Sequence, residues 1–161
     1  MDILIFDLDG VLLKPHGYHK ALQETVNLAG KSIGFGEAHL TDKQIAQFEA
    51  LGISSEWHSS ALCMAVMSIQ KQVGINDDGE LNQSSALQLD GLFNALASQP
   101  MKDSALTRGI AAIDILAAEH GFPRDSLRRI MLESESIELS PTLNWVVPKF
   151  FKIKGLPSIA S

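Results

Sequence analysis

The chain opens MDILIFDLDGVLLK (residues 1–14), in which Ile3, Leu4, Ile5 and Phe6 form an unbroken apolar run that stops on Asp7, Asp9 and Gly10. Apolar residues at successive rather than alternate positions suit a β-strand covered on both faces in a parallel sheet. The stretch predicts a strand over residues 2–7 that carries acid at its carboxyl end. No second run of comparable quality follows: Ile130-Met131-Leu132 and Trp145-Val146-Val147 are short and sit within helical patterning. A strand without neighbours leaves backbone groups that are costly to bury. Residues 2–7 are therefore expected to be poorly supported, or to pack in an unusual way against the helices.

Beyond the strand, helix punctuation dominates. Tyr18 to Ala29 carries Ala21, Leu22, Thr25, Val26 and Ala29 at helical spacing and is expected to stop at Gly30, followed by a loop with Gly34 and Gly36. Thr41-Asp42-Lys43-Gln44 offers a capping box for a helix with Ile45, Phe48 and Leu51 on one face and Gly52 as its terminator. Ser54 or Ser55 caps a longer helix through Trp57, Leu62, Ala65, Val66, Ile69 and Val73, ending at Gly74. Ile75-Asn76-Asp77-Asp78-Gly79 then makes a polar turn. Further helices are predicted at about 85–98, 104–120 and 123–133, broken by Pro100 and by Gly121 with Pro123, and Ser140-Pro141 starts one more. As a 161-residue chain the fold class is mainly α with one core β-strand.

Composition narrows the range of functions. With 161 residues and 45% hydrophobics the chain is long enough to bury a core as a single domain. Cys63 is the single cysteine and forms no internal disulfide, and no signal-peptide pattern precedes the strand, so a cytoplasmic location is expected. No stretch approaches the roughly 20 apolar residues that span a bilayer. A formal net charge of −6 disfavours nucleic acid or an anionic membrane as the main partner. All 19 acidic residues lie within residues 1–138, whereas residues 139–161 hold Lys149, Lys152 and Lys154 and no acid. The tail thus differs in character from the body.

Ile5-Phe6-Asp7-Leu8-Asp9-Gly10-Val11 resembles the first motif of the haloacid dehalogenase superfamily of hydrolases, in its phosphatase-type form. The stretch Gly17 to Val26, with Ile45, Phe48, Gly52 and Trp57, is similar to the helical cap that one branch of these enzymes inserts directly after that motif. The resemblance implies a parent α/β fold, a Rossmann-like parallel sheet plus a helical cap. It divides the chain into a first strand and catalytic loop (1–14), a helical cap (15–147) and a divergent tail (148–161). It further implies that Asp7 is the nucleophile that forms an aspartyl-phosphate, a covalent route that splits one hard step into two. Asp9 is then the general acid/base. Mg²⁺ is the implied cofactor, held by the Asp7 carboxylate and the Asp9 backbone carbonyl, and the substrate is a small phosphorylated metabolite. Gly10 lets the backbone turn beside the phosphate without a side chain in the way, and Lys14 is a weak candidate contact to the substrate. Asp9 favours phosphate chemistry over dehalogenation, and the phosphomutase relatives use the same two carboxylates.

The family also uses a Ser or Thr, a Lys and a final acidic pair, which bind the transferring phosphoryl group and complete the metal site. Ser134, Ser136, Asp77-Asp78-Gly79 and the tail lysines imitate these parts without their context. The catalytic set is incomplete, and a frameshift or early stop near residues 147–152 is the expectation that explains it. A second reading makes the chain a non-catalytic helical module, which self-associates or binds a complementing core fragment. Structural readings are favoured elsewhere: His16, His19, His39, His58 and His120 lack ligand spacing, Arg124, Arg128 and Arg129 form a solvated basic face, and Cys63 is a buried small hydrophobe.

Overall fold

The computed structural model describes residues 16–74 and 87–134, and the expected strand over 2–7, the turn after Ile75 and the helix at Ser140-Pro141 lie outside them. The described residues are mainly helical. Six helices succeed one another: α1 (His16–Ser32), α2 (Asp42–Ala50), α3 (Glu56–Val73), α4 (Asp90–Ala97), α5 (Ala105–His120) and α6 (Arg124–Ser134).

The central element is α3. Its sequence buries Ser59 to Cys63, Ala65, Val66, Met67 and Ile69, which is more than one face of a helix. A helix apolar nearly all round must be enclosed by neighbours, and α3 packs against α1, α5 and α6. Its serines do not oppose this burial, because Ser60 Oγ donates to Trp57 O at 2.9 Å and Ser68 Oγ to Met64 O at 2.8 Å. α4 and α6 in turn pack on α5. At Gly109 a Cβ would approach Met131 Cε to 2.7 Å and Leu62 Cδ2 to 3.5 Å, so this glycine is what brings α5 close to both α6 and α3. The Arg128 guanidinium makes a two-pronged bond to Asp114, joining α6 to α5 with Nε to Oδ1 at 2.8 Å and Nη2 to Oδ2 at 2.5 Å. Arg128, expected on a solvated face, is thus an interhelix tie.

Helix ends follow local chemistry in most cases. Thr41 Oγ1 accepts from Gln44 N at 3.3 Å while Gln44 Oε1 accepts from Thr41 N at 2.9 Å, which is the expected capping box. Gly52 follows α2 at φ 74°, as its place in the sequence implies. Ser104 Oγ accepts from Thr107 N at 3.1 Å to start α5. Gly121, at φ 65°, stops that helix, and Phe122 N donates to Ala117 O at 2.8 Å.

Three expectations are corrected. Gly30 does not end α1, which begins at His16 and runs on to Ser32; the left-handed turn falls at Gly34, φ 74°. There Lys71 Nζ donates to Ile33 O at 2.7 Å and so satisfies a carbonyl at the end of α1. Ser55 holds the N-cap position of α3 without a side-chain cap bond. The helix expected from residue 85 starts only at Asp90, and Leu87 and Leu89, buried in non-helical backbone, serve the core from outside the helix.

One buried cation links three of these helices. Arg108, 2% exposed, lies one turn into α5. Its Nη1 donates to Leu51 O at the end of α2, and its Nη2 to Leu96 O in the last turn of α4 at 3.3 Å. Carboxyl ends of helices carry partial negative charge, so two of them form the counter-pole for a guanidinium that has no carboxylate paired with it among the described residues. Beside it, Phe48 of α2 meets Phe93 of α4 edge to face, with centroids 5.0 Å apart and planes at 73°. Such a pair contributes about 1 kcal/mol beyond its buried area. Replacing Arg108 by Ala removes the guanidinium donor from Leu51 O, leaves Leu96 O with Gln99 N, and opens a cavity. We expect Arg108→Ala to lower the unfolding free energy by about 3 kcal/mol in urea denaturation.

Candidate functional site

The residues on which the sequence places chemistry, Asp7, Asp9, Gly10 and Lys14, lie outside the described residues, as do Asp77, Asp78 and the tail lysines. Among the described residues no group of three or more His, Cys, Asp or Glu side chains is gathered as a metal site. Cys63 is fully buried, and burial pushes its thiol well above the ordinary range, which makes it a packing residue rather than a nucleophile.

The structure instead assembles a polar cleft on α1. The helix buries Leu22, Thr25, Val26 and Ala29. Lys20, Gln23, Glu24 and Asn27 repeat the same spacing two residues earlier, which at about 100° per residue turns them to the other side of the helix. After α1 the chain reverses at Gly34 and Gly36 and runs back beside these residues. It brings Ala38, His39 and Leu40 opposite them around a cleft of about 430 Å³. Ala38 and Leu40 are themselves buried and give the cleft an apolar side.

Both walls are held in place. At one end Phe35 N and Gly36 N donate to Gly30 O at 2.8 and 3.2 Å, and a Cβ on Gly30 would come within 2.8 Å of Gly36 O. Gly30 is therefore required for close approach of two backbones within the helix, not for a left-handed turn. At the other end Gln23 Nε2 donates to Asp42 Oδ1 at 3.0 Å, and His19 Nε2 lies 3.3 Å from Glu49 Oε1, so α1 is tied to α2 as well. Between them Lys31 Nζ stands 3.1 Å from Glu37 Oε1 and His39 Nε2 stands 3.7 Å from Glu37 Oε2.

The Lys31 ammonium, followed by His39, holds the Glu37 carboxyl below its ordinary value. Within the cleft, Asn27 Oδ1 is buried without a hydrogen-bond partner among the described residues. None of these cleft residues except Lys20 and the histidines stands out by residue type, and the signal available in sequence is the second, polar stripe on α1.

Comparison with family models, curated proteins and solved structures returns no match for this chain. No helix among the described residues is long and apolar enough to cross a membrane.

Two outcomes test this geometry. Gly30→Ala forces the 35–41 segment away from α1 and is expected to cost about 2 kcal/mol in urea denaturation, the scale of an overpacked core position. A group whose folded pKa is depressed adds stability above its unfolded pKa and loses it as pH falls through the folded one. An NMR pH titration should accordingly place the Glu37 midpoint below the ordinary glutamate value, and Lys31→Gln should move it upward.

Proposed function

We propose that the chain belongs to a cytoplasmic, Mg²⁺-dependent phosphohydrolase of the haloacid dehalogenase type, for which residues 1–14 provide the first strand and nucleophile and the helices provide the cap. The observation that carries this reading is the heptad Ile5-Phe6-Asp7-Leu8-Asp9-Gly10-Val11 followed at once by a helical body. In this reading Asp7 attacks the phosphorus of a small phosphomonoester and the alcohol leaves with a proton from Asp9. Asp9 then removes a proton from the water that opens the aspartyl-phosphate. The Asp7 carboxylate and Asp9 carbonyl are oxygen donors of the kind a hard divalent cation takes, and Mg²⁺ there would offset repulsion between carboxylate and phosphate. Gly10 leaves room for the phosphate, with Lys14 as a nearby contact. The parent fold in this reading is α/β. The Ser or Thr, Lys and acidic pair that the chemistry also needs come from a complementing core polypeptide, so the 161 residues alone turn over poorly.

A second reading rests on a different observation: among the described residues, α1 to α6 share one continuous apolar core, from Leu22 and Val26 to Leu127 and Met131. A helical body with its own core serves equally as a non-catalytic module that binds a partner polypeptide.

Calorimetric titration of Mg²⁺ and turnover of an aryl phosphate, with the purified chain and with Asp7→Asn, separate the two. The phosphohydrolase reading expects Mg²⁺ binding that Asp7→Asn abolishes, and any metal-dependent turnover to fall at least about a thousandfold in the variant. Identical Mg²⁺ binding and turnover in the two proteins would leave the module reading.

A further inference from the structure

We propose that Met101 is a redox modification site: a hydroperoxide converts its thioether to a sulfoxide, whose oxygen accepts a hydrogen bond from the buried Arg108 guanidinium and tightens the junction of α2, α4 and α5. The site lies within the helical body and stands whether or not Asp7 is a nucleophile. Met101 occupies the short turn between α4 and α5, in which Asp103 N donates to Pro100 O at 3.1 Å. It is 62% exposed, whereas Met67, Met131 and Cys63 are fully buried and Met64 is partly buried. An oxidant reacts only with sulfur that it reaches, so among the described residues Met101 is the sulfur that a peroxide meets first.

The Met101 methyl group borders the same space as the buried cation. A Cβ on Gly52 would lie 2.9 Å from Arg108 Nη1 and 3.4 Å from Met101 Cε, so the two atoms flank the point that this glycine leaves open. The guanidinium there has more donors than its surroundings have acceptors. Of its N–H groups, those on Nη1 and Nη2 reach Leu51 O and Leu96 O, and Leu96 O is shared with Gln99 N. Its Nε is buried with no hydrogen-bond partner among the described residues. A thioether sulfur is a weak acceptor and leaves this deficit in place. A sulfoxide oxygen carries a large partial negative charge and is a strong one.

The oxidant balances the reaction. A lone pair on Met101 Sδ attacks one oxygen of hydrogen peroxide, the O–O bond breaks, and the departing hydroxide takes the proton of the transferred oxygen and leaves as water. Sulfur gives up two electrons and the peroxide gains them. Oxidation of a buried methionine disrupts packing, because a polar group replaces an apolar one among apolar neighbours. Met101 differs in that its side chain is mostly in solvent and its methyl end lies beside a cation. The new bond is charge-assisted. Through Arg108 it ties the α4–α5 turn to the end of α2, so the stability of the chain rises with oxidation and falls again when the sulfoxide is reduced.

The test treats the 161-residue chain and its Met101→Leu variant with dilute hydrogen peroxide, and follows both by peptide mass spectrometry, urea denaturation and ¹⁵N NMR. We expect Met101 to gain oxygen at least about tenfold faster than Met64, Met67 or Met131. The chain oxidised at Met101 should have its folding equilibrium shifted about tenfold toward the folded state, the scale of one charge-assisted hydrogen bond. The Arg108 side-chain N–H resonances should move at the same time, and methionine sulfoxide reductase should reverse both changes. Met101→Leu keeps an apolar side chain at an exposed position, leaves the core untouched and should show neither change. Faster oxidation of Met64, Met67 or Met131, stability that is unchanged or lowered by the Met101 sulfoxide, or the same stabilisation in peroxide-treated Met101→Leu would each overturn the proposal.

Discussion

The described fold depends on a positive charge buried against helix ends. Arg108 sits where α2 stops and α4 stops, and its guanidinium donates to a carbonyl of each. Gly52 makes the arrangement possible twice over: its φ of 74° turns the chain out of α2, and its missing side chain leaves space, since a Cβ there would lie 2.9 Å from Nη1. Leu51 O, just past the end of α2, thereby gains a donor from a third helix, and Leu96 O, which also accepts from Gln99 N, gains a second. Phe48 and Phe93 pack edge to face across the same pair of helices. Around this point the short helices α2 and α4, too short to be stable alone, acquire fixed positions.

A second constraint orders the other side of the molecule. α1 lies on α3 through Leu22, Val26 and Ala29, while the 35–41 segment folds back over α1 at Gly30. The backbone approach there, together with Lys71 on Ile33 O, fixes the start of the returning segment. The capping box at Thr41 fixes its end. Held at both ends, the segment forms a wall that faces the polar stripe of α1. The cleft is therefore a product of the same contacts that stabilise the fold.

Local signals made much of the helical frame legible. The Thr41 capping box and the glycine stop at Gly121 each act over three or four residues, and each stands where the sequence puts it. Phe48 and Cys63 are buried as their apolar spacing implies. Gly30 shows where local reasoning fails. A glycine after an amphipathic run reads as a helix terminator, but here it remains in the helix because residue 36 needs the space of its absent side chain. The requirement comes from a partner six residues away, which no local propensity encodes. Arg128 follows the same logic: its neighbours Arg124 and Arg129 suggest a solvated basic face, yet Asp114, fourteen residues earlier, claims it.

The sequence by itself determined a mainly helical chain, most helix boundaries and, in the acid-ended run before Gly10, a resemblance to a phosphate-handling family. These depend on hydrophobic period, capping residues and glycine conformation, all interactions within a few residues. Tertiary structure alone decided that α3 is central, that Arg108 is buried between two helix ends, and that Lys20, Glu24 and Asn27 face His39 across a cleft. Each of those depends on groups distant in sequence meeting at a close and specific distance. Side-chain type does not reveal such a meeting, because a buried arginine and an exposed one are the same residue until the surrounding helices take up their places.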